Sequence, residues 1–246
     1  MHRLGFLFTA ALASLTPPAK PLRFDLAALP ISRDSFVFYL DSAPRGWAVW
    51  QYELRTEGTR QEVLYTAGSD FEPSVDERTR VVVDRRSGAP LESFRRTEFT
   101  AIGDTTMIEH SLAVRNGQVT GRRIVATKTH GVDTIAVSRP MPPGVVWSSY
   151  ELFAAAVTGA VPGDSLVGDA FNEADDSIVP LTLVAEQPVA IDVPAGHMDV
   201  LPLRSGNFLR LYVTRVAPHR VVKGETLDGR FRFELAATGP VVPSAP

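Results

Sequence analysis

The chain has 246 residues, 44% of them hydrophobic and 22% charged, so it falls in the globular range and is long enough to bury one substantial core. Its formal net charge of −3 argues against nucleic-acid binding, which normally requires a clustered basic face. The absence of cysteine excludes disulfide bonds and also a bacterial lipoprotein anchor, which needs a cysteine after the cleavage site.

The N-terminus has the pattern of a secretory signal. Met1-His2-Arg3 is a short basic region, Leu4 to Leu12 is an apolar core, and Ala11-Leu12-Ala13 is a small-x-small cleavage site. These features predict a signal peptide over residues 1–13 and an exported protein, soluble in a periplasm or outside the cell. A buried N-terminal helix is the alternative, and Thr16-Pro17-Pro18 would end it. No later stretch is long and apolar enough to span a membrane.

Prolines between residues 14 and 46 predict an irregular N-terminal segment, in which Phe36 to Leu40 is either a short strand or a plug of apolar residues. Residues 47–237 follow without a Gly/Ser-rich or charged linker, so we expect a single β-rich domain there. Residues 238–246 are rich in proline and small side chains, which predicts a flexible tail.

Alternation of apolar and polar residues is the main structural signal. Thr105 to Val114 places Ile108 and Leu112 on one face, with a period of two that indicates a strand. The Asn116-Gly117 pair after it is typical of a type I′ hairpin turn. Further strands are predicted over Trp47 to Arg55, Gln61 to Ala67, Arg80 to Asp84, Leu91 to Phe99, Gln118 to Thr127, Val132 to Val137, Ile178 to Ala185, Val189 to Val193, His197 to Leu203, Phe208 to Thr214 and Arg230 to Ala236.

One helix is predicted between these two groups of strands. Ser148 and Glu151 form a capping box, and the body from Ser149 to Thr158 is apolar nearly all round, which indicates burial on more than one side. Gly159 and Pro162 end it. The predicted fold is therefore mainly β: a strongly curved antiparallel meander, forming an open or half barrel, with one main helix packed against the concave face.

Gly163-Asp164-Ser165-Leu166 has the four letters that open the nucleophile block of the GDSL esterases and lipases. It follows a proline and a predicted helix, and no Asp-x-x-His lies downstream. A serine needs a positioned base and oxyanion donors to act as a nucleophile. We therefore interpret the tetrapeptide as a turn leading into a strand and expect no enzyme, with a serine hydrolase at Ser165 as an alternative.

The histidines are scattered singly, without the spacing of a zinc site. His110 lies on the apolar face of its strand and is expected to be a hydrogen-bonded core residue, with a ligand contact as the alternative. His197 and Asp199 share a strand face and could form an acid/base pair, although the preceding turn favours a surface position.

The acidic residues Glu173, Asp175 and Asp176 resemble a loop calcium site only loosely, because the spaced oxygen ligands and the glycine of an EF-hand loop are missing. The sequence therefore predicts no metal and no cofactor.

The signal peptide, the meander and the helix are accompanied by three characteristic C-terminal segments: Val193-Pro194-Ala195-Gly196, Leu211-Tyr212-Val213-Thr214 and Ala217 to Gly224. Together they resemble exported bacterial proteins of unknown function grouped near the lipoprotein-carrier (LolA/LolB-like) superfamily. The resemblance covers about Trp47 to Leu235 and rests on turns and strand ends. It implies a curved, unclosed antiparallel sheet over an apolar cavity with helical cover, in which the carriers hold acyl chains. This sequence departs by having one helix where the carriers have more.

These observations favour a soluble extracytoplasmic protein that binds an apolar or lipidic ligand between the curved sheet and the helix. An envelope structural or interaction module with a filled core is the alternative. The expected partner is a lipid or another apolar small molecule, with no nucleic acid and no integral membrane span. We expect the following side chains to contact the ligand: Trp50, Tyr52, Ile108, His110, Leu112, Phe153, Phe231 and Phe233.

Overall fold

The structure, a computed structural model, describes residues 18–72, 75–100, 103–150 and 154–242, which form a single 17-stranded sheet. The first nine strands are β1 Lys20–Pro21, β2 Arg33–Leu40, β3 Ala43–Glu57, β4 Arg60–Phe71, β5 Val75–Asp84, β6 Pro90–Phe99, β7 Thr105–Arg115, β8 Gln118–Thr127 and β9 Gly131–Pro140. The remaining strands are β10 Val146–Trp147, β11 Ser165–Asn172, β12 Ser177–Ala185, β13 Val189–Val193, β14 Gly196–Ser205, β15 Leu209–Thr214, β16 Val221–Thr226 and β17 Phe231–Gly239.

Two antiparallel meanders make up most of this sheet. Strands β2 to β9 pair each with the next. In the second meander β11 pairs with β12, β12 and β13 both pair with β14 along different parts of its length, and β14 to β17 pair each with the next. The last strand joins the two meanders, because β17 pairs with β2 from Phe231↔Leu40 to Gly239↔Arg33. The sheet is open: β9 lies at one edge, and the two-residue strands β1 and β10 lie at the other. The prediction of a mainly β fold with a large open sheet is confirmed.

Alternation of side chains gives the sheet one buried face. Trp50 and Tyr52 on β3 point inward, as do Phe233 and Leu235 on β17, and all four are at most 5% exposed. Phe36 lies between them, with its ring centroid 4.2 Å from that of Trp50 and 5.6 Å from that of Phe233. The turn after β7 has the backbone that its sequence predicts, since Asn116 and Gly117 both have positive φ, 53° and 72°.

The β10–β11 end of the strand order approaches β5 and β6, in the middle of the first meander, across this face. β10 contacts β6, and the 3₁₀ turn Ser148–Tyr150 contacts both β5 and β11. The sheet therefore curls around a common interior, and the segment between β10 and β11 closes part of it. This curvature places side chains from distant strands around one space.

The prediction of one main helix is wrong. Within the described part of the segment from Ser149 to Thr158, Ser148–Tyr150 and Ala155–Val157 are short 3₁₀ turns. The Ser148 hydroxyl, expected to cap the helix, instead donates to Glu173 Oε2 at 2.6 Å. Ala155, Ala156 and Val157 are buried in the core, so the apolar character of this segment reflects tertiary packing.

The ends of the chain differ from expectation in two places. The segment predicted to be irregular contains β2, so Phe36 to Leu40 is a strand in the middle of the sheet. At the other end, β17 continues to Gly239, and the Gln51 side chain hydrogen-bonds both the N–H and the C=O of Val242. The predicted tail is thus held down as far as Val242, whereas the predicted signal peptide lies outside the described residues.

Within the described ranges, no helix is long and apolar enough to cross a membrane.

Candidate ligand-binding cavity

A cavity of about 310 Å³ opens on the inner face of the curled sheet. Strands β2 to β6 and β17 supply one wall, and the Ser148–Tyr150 turn with the start of β15 supplies the other. Its lining residues are Phe38, Trp50, Tyr65, Ala67, Ser69, Glu77, Thr79, Arg95, Ser148, Ser149, Phe208, Leu209, Phe231 and Phe233.

One end of the cavity is aromatic. The ring centroid of Phe38 lies 5.6 Å from that of Phe231 and 6.4 Å from that of Phe233. Phe233 in turn packs edge-on against Trp50 at 5.1 Å. Phe208, in the turn between β14 and β15, is 71% exposed and lies at the opening. Such a wall offers a large apolar surface of fixed shape, because aromatic rings bury much area with few rotatable bonds.

The other end of the cavity is polar and belongs to β5 and β6. Arg95 Nη2 donates to Glu77 Oε2 at 2.5 Å, and the Thr79 hydroxyl donates to Glu77 Oε1 at 3.2 Å. Thr97 donates to the same carboxylate at 3.3 Å. The Arg95 side chain lines the cavity, and its Nε–H is buried without a hydrogen-bond partner among the described residues.

Ser148 and Ser149 face this polar end from the opposite wall, and a buried carboxylate orients both hydroxyls. Glu173 is 1% exposed and accepts from Ser148 Oγ at 2.6 Å and from Ser149 Oγ at 2.5 Å. The Ser149 backbone N–H also points at Glu173 Oε2, at 3.4 Å. Each serine has one hydroxyl proton, and that proton is donated in the hydrogen bond to Glu173. Both serine oxygens can therefore only accept hydrogen bonds from a molecule in the cavity.

The same carboxylate extends the polar network to β6 and β7. Ser93 Oγ donates to Glu173 Oε1 at 3.1 Å and lies 3.3 Å from His110 Nε2. Since the Ser93 proton is used on Glu173, its oxygen accepts from Nε2–H of a neutral imidazole. Burial holds the pKa of His110 down at about 4, with the charges of Arg95 and Arg123 adding to the effect and the Glu173 carboxylate opposing it.

Glu173 lies in the turn between β11 and β12 and points to the interior. Contacts to the other residues of this turn hold the turn in place. Arg123 donates to the carbonyl oxygen of Ala174 at 2.7 Å and pairs with Asp176 at 3.2 Å. Asp175 accepts from the backbone and hydroxyl of Ser177. The three acidic side chains therefore have separate partners, and the described residues contain no group of three or more candidate ligands that could hold a metal.

The cavity includes three of the eight side chains predicted to contact a ligand: Trp50, Phe231 and Phe233. Tyr52 is buried beside it, stacked on Tyr65 with ring centroids 5.6 Å apart. Leu112 belongs to the core at 3% exposure, and Ile108 is half-buried on the same face. His110 is the hydrogen-bonded core histidine that the sequence predicts, while Phe153 lies outside the described residues.

Neither candidate catalytic group forms a catalytic arrangement. Ser165 begins β11 opposite Val184, after a turn in which Asp164 pairs with Lys20 at 2.6 Å. No hydrogen bond joins the Ser165 hydroxyl to a histidine or a carboxylate among the described residues. His197 lies on the surface and hydrogen-bonds Asp192 at 2.8 Å, not Asp199. The hydrogen bond raises the pKa of His197, which is what an exposed ion pair does.

Sequence reasoning missed the polar half of the cavity. Glu77 and Thr79 continue the inward row of Val81 on β5, and Arg95 lies opposite Thr79 on β6. If the predicted strand had started at Val75 instead of Arg80, the alternation of its side chains would have placed Glu77 and Thr79 on the inner face. No local signal in the sequence indicates that Ser148 and Ser149 face them.

A second cavity of about 320 Å³ lies between the segment from Ala155 to Pro162 and strands β14 and β15. No Phe, Tyr or Trp is present among its described lining residues, and its ionisable side chains are Arg215 and His219. The aromatic cavity is therefore the better candidate, since binding sites combine a large apolar wall with a few convergent polar groups.

Comparisons with protein-family models, with curated proteins and with solved structures found no match to this chain. The resemblance to lipoprotein carriers therefore stays a prediction.

Proposed function

We propose that the protein binds a small amphiphilic molecule in the cavity on the inner face of its sheet. The observation that carries the proposal is the division of the cavity into an aromatic end, with Trp50 and Phe233, and a polar end, with Arg95 and Ser148. An apolar group among the rings would lose its contact with water, while the polar end would orient the head group.

The volume limits the size of this ligand. Small-molecule cavities usually measure about 300–1,000 Å³, and this one, at about 310 Å³, lies at the lower end. A single short alkyl chain or a ring system suits this space better than a lipid with several acyl chains. The proposal therefore narrows the apolar or lipidic ligand expected from the sequence to a small one.

Hydrogen bonding at the polar end selects the head group. Ser148 and Ser149 offer acceptors only, because their protons are donated to Glu173. Arg95 offers donors, and Glu77 beside it is a carboxylate. A hydroxyl group can donate to a serine oxygen and accept from Arg95 together, whereas a carboxylate would face Glu77 and two acceptor oxygens. An alcohol is thus preferred over the corresponding fatty acid.

Calorimetric titration of delipidated protein with decan-1-ol and with decanoate tests the proposal. We expect saturable binding of the alcohol and at least tenfold weaker binding of the carboxylate. Ala67→Phe fills the cavity and should abolish binding, whereas Thr66→Phe, on the outer face of the same strand, should retain it. Ser69→Leu is a second blocked variant, and denaturant unfolding of each variant verifies folding.

The result that refutes binding at this site is equal affinity in Ala67→Phe and Thr66→Phe. Failure of every probe to bind the wild type would favour a structural or interaction module instead. One observation supports that second candidate: the interior next to β11–β15 is filled by side chains at most 1% exposed, including Phe171, Leu183, Leu203 and Leu211.

Export is part of the proposal and rests on the N-terminal pattern of Met1 to Ala13. Mass spectrometry of the protein isolated from its own cell envelope tests it. A mature chain that starts at Ser14 and lies outside the cytoplasm is the expected result, and an intact N-terminus in the cytoplasm would refute it.

A further inference from the structure

The edge strand β9 is long and uncovered. Nine of its ten residues are exposed, and Val137 alone is buried. Among the residues that the structure describes, β9 pairs with β8 only, so the N–H and C=O groups along its outer side have no strand partner. The opposite edge is different, because it ends in two strands of two residues each that both pair with β11.

Proteins usually protect an exposed edge with short strands, lysines, prolines or a covering segment. β9 has no lysine, its two charged residues, Asp133 and Arg139, lie near its two ends, and Pro140 is its last residue. Its exposed apolar side chains include Val132, 68% exposed, and Ile135, 39% exposed. Such an edge is a template for another strand.

A second copy of β9 fits this template in one register. If two copies pair antiparallel around a two-fold axis and their inner faces stay continuous, residues of the same parity must lie opposite each other. With Ala136 opposite its own copy, Asp133 lies opposite Arg139 on both sides of the axis. Among the registers of this kind, this one alone pairs the two charges of the strand with each other.

The remaining positions match in the same register. Thr134 lies opposite Ser138, and Ile135 lies opposite Val137, so hydroxyl meets hydroxyl and β-branched meets β-branched. Cross-strand pairs of these kinds, like ion pairs, each contribute roughly 0.2–1 kcal/mol. The sequence around Ala136 is thus nearly palindromic in chemistry, which is what an isologous interface requires.

We propose that the protein forms a two-fold dimer in which β9 pairs with β9 of a second copy, centred on Ala136. The pairing extends the 17-stranded sheet of each chain into one continuous sheet. It covers the exposed side of Ile135 and leaves the aromatic cavity, on the other side of β6, untouched.

A charge exchange between the two residues tests both the dimer and its register. Analytical ultracentrifugation should show a concentration-dependent dimer for the wild type. Asp133→Arg places Arg opposite Arg, and Arg139→Asp places Asp opposite Asp, so each variant alone should be monomeric. An equimolar mixture of the two should dimerise again, because each Arg then faces an Asp. Both positions are exposed, so both variants should have the unfolding midpoint of the wild type at concentrations low enough for the wild type to be monomeric.

A wild type that stays monomeric at all concentrations overturns the proposal. So does a dimer that persists in both single variants, or a mixture that does not associate. Arg45→Asp on β3 and Asp70→Arg on β4, which lie at least five strands from β9 in the sheet order, provide charge changes of the same size that should not alter the dimer.

Discussion

Replacing His110 by glutamine should remove a large part of the acid sensitivity of this protein. His110 is 3% exposed, and its Nε2 lies 3.3 Å from Ser93 Oγ. Glutamine places an N–H donor near the same position and does not titrate, so the hydrogen bond survives while the titration is lost.

The magnitude follows from the pKa of the imidazole. Burial is the largest cause of the lowered pKa of His110. Among the neighbouring charged groups, Glu173 and Glu77 raise this pKa, whereas Arg95 and Arg123 lower it. The result is a pKa of about 4 in the folded protein against about 6.5 for an unperturbed histidine. Each unit of pKa difference between the folded and unfolded states is worth about 1.4 kcal/mol. The full effect of this histidine, reached once both states are protonated, is therefore a fall of about 3 kcal/mol in the free energy of unfolding.

The sign is set by which state binds the proton. Between about pH 6.5 and pH 4 the unfolded chain is protonated at this position and the folded chain is not, so the free energy of unfolding falls as the pH falls. From about pH 8 to about pH 5 the loss attributable to His110 is about 2 kcal/mol.

Urea unfolding followed by tryptophan fluorescence over this pH range measures the effect. Wild type should lose about 2 kcal/mol more than His110→Gln between the two ends. His197→Gln is the control, because that exposed histidine has a raised pKa from its hydrogen bond to Asp192 and must act in the opposite direction. Parallel curves for wild type and His110→Gln would refute a buried neutral imidazole. A wild type that loses less stability than His110→Gln on acidification would show that the Glu173 carboxylate outweighs burial.

Two further predictions concern packing and the buried carboxylate, both measured by denaturant unfolding. Gly224→Ala should lower the free energy of unfolding by about 1–3 kcal/mol, because the new Cβ would lie 2.3 Å from the buried ring of Phe233. Gly68→Ala, whose new Cβ would have nothing within 4 Å, should leave the free energy of unfolding unchanged or raise it by up to about 1 kcal/mol. Equal losses in the two variants would contradict this packing. Ser148→Ala should lower the free energy of unfolding by about 1.5–3 kcal/mol, because it removes a hydrogen-bond donor from the buried carboxylate of Glu173. Ser177→Ala breaks an exposed serine–carboxylate hydrogen bond of the same 2.6 Å length and should lower it by less than about 1 kcal/mol. A larger loss in Ser177→Ala than in Ser148→Ala would contradict the role of burial.

The strands were the part of the fold that local pattern could predict. Gln118–Thr127 and Val189–Val193 have the bounds expected from alternation, and the other predicted strands overlap observed ones. Alternation works because a residue's face on a strand depends only on its parity, which is a local property of the backbone. The inward positions of Trp50, Phe231 and Phe233 followed from the same rule.

The helix prediction failed because its evidence was also local. Ser148 has the side chain of an N-cap, and the residues after it have helical propensity, yet its hydroxyl finds a stronger acceptor in Glu173, 25 residues later in the chain. A charged acceptor in a buried site outweighs a cap worth about 1 kcal/mol. No pattern within the segment reveals that partner.

The sequence by itself determined a mainly β chain, the strand faces and the aromatic side chains that those faces bury. The tertiary structure alone decided that β17 pairs with β2, that the curled sheet brings Ser148 opposite Arg95, and that Glu173 orients the serine hydroxyls between them. The physical reason is that alternation depends on neighbours along the chain, whereas the pairing order and curvature of a sheet depend on contacts between residues far apart in sequence.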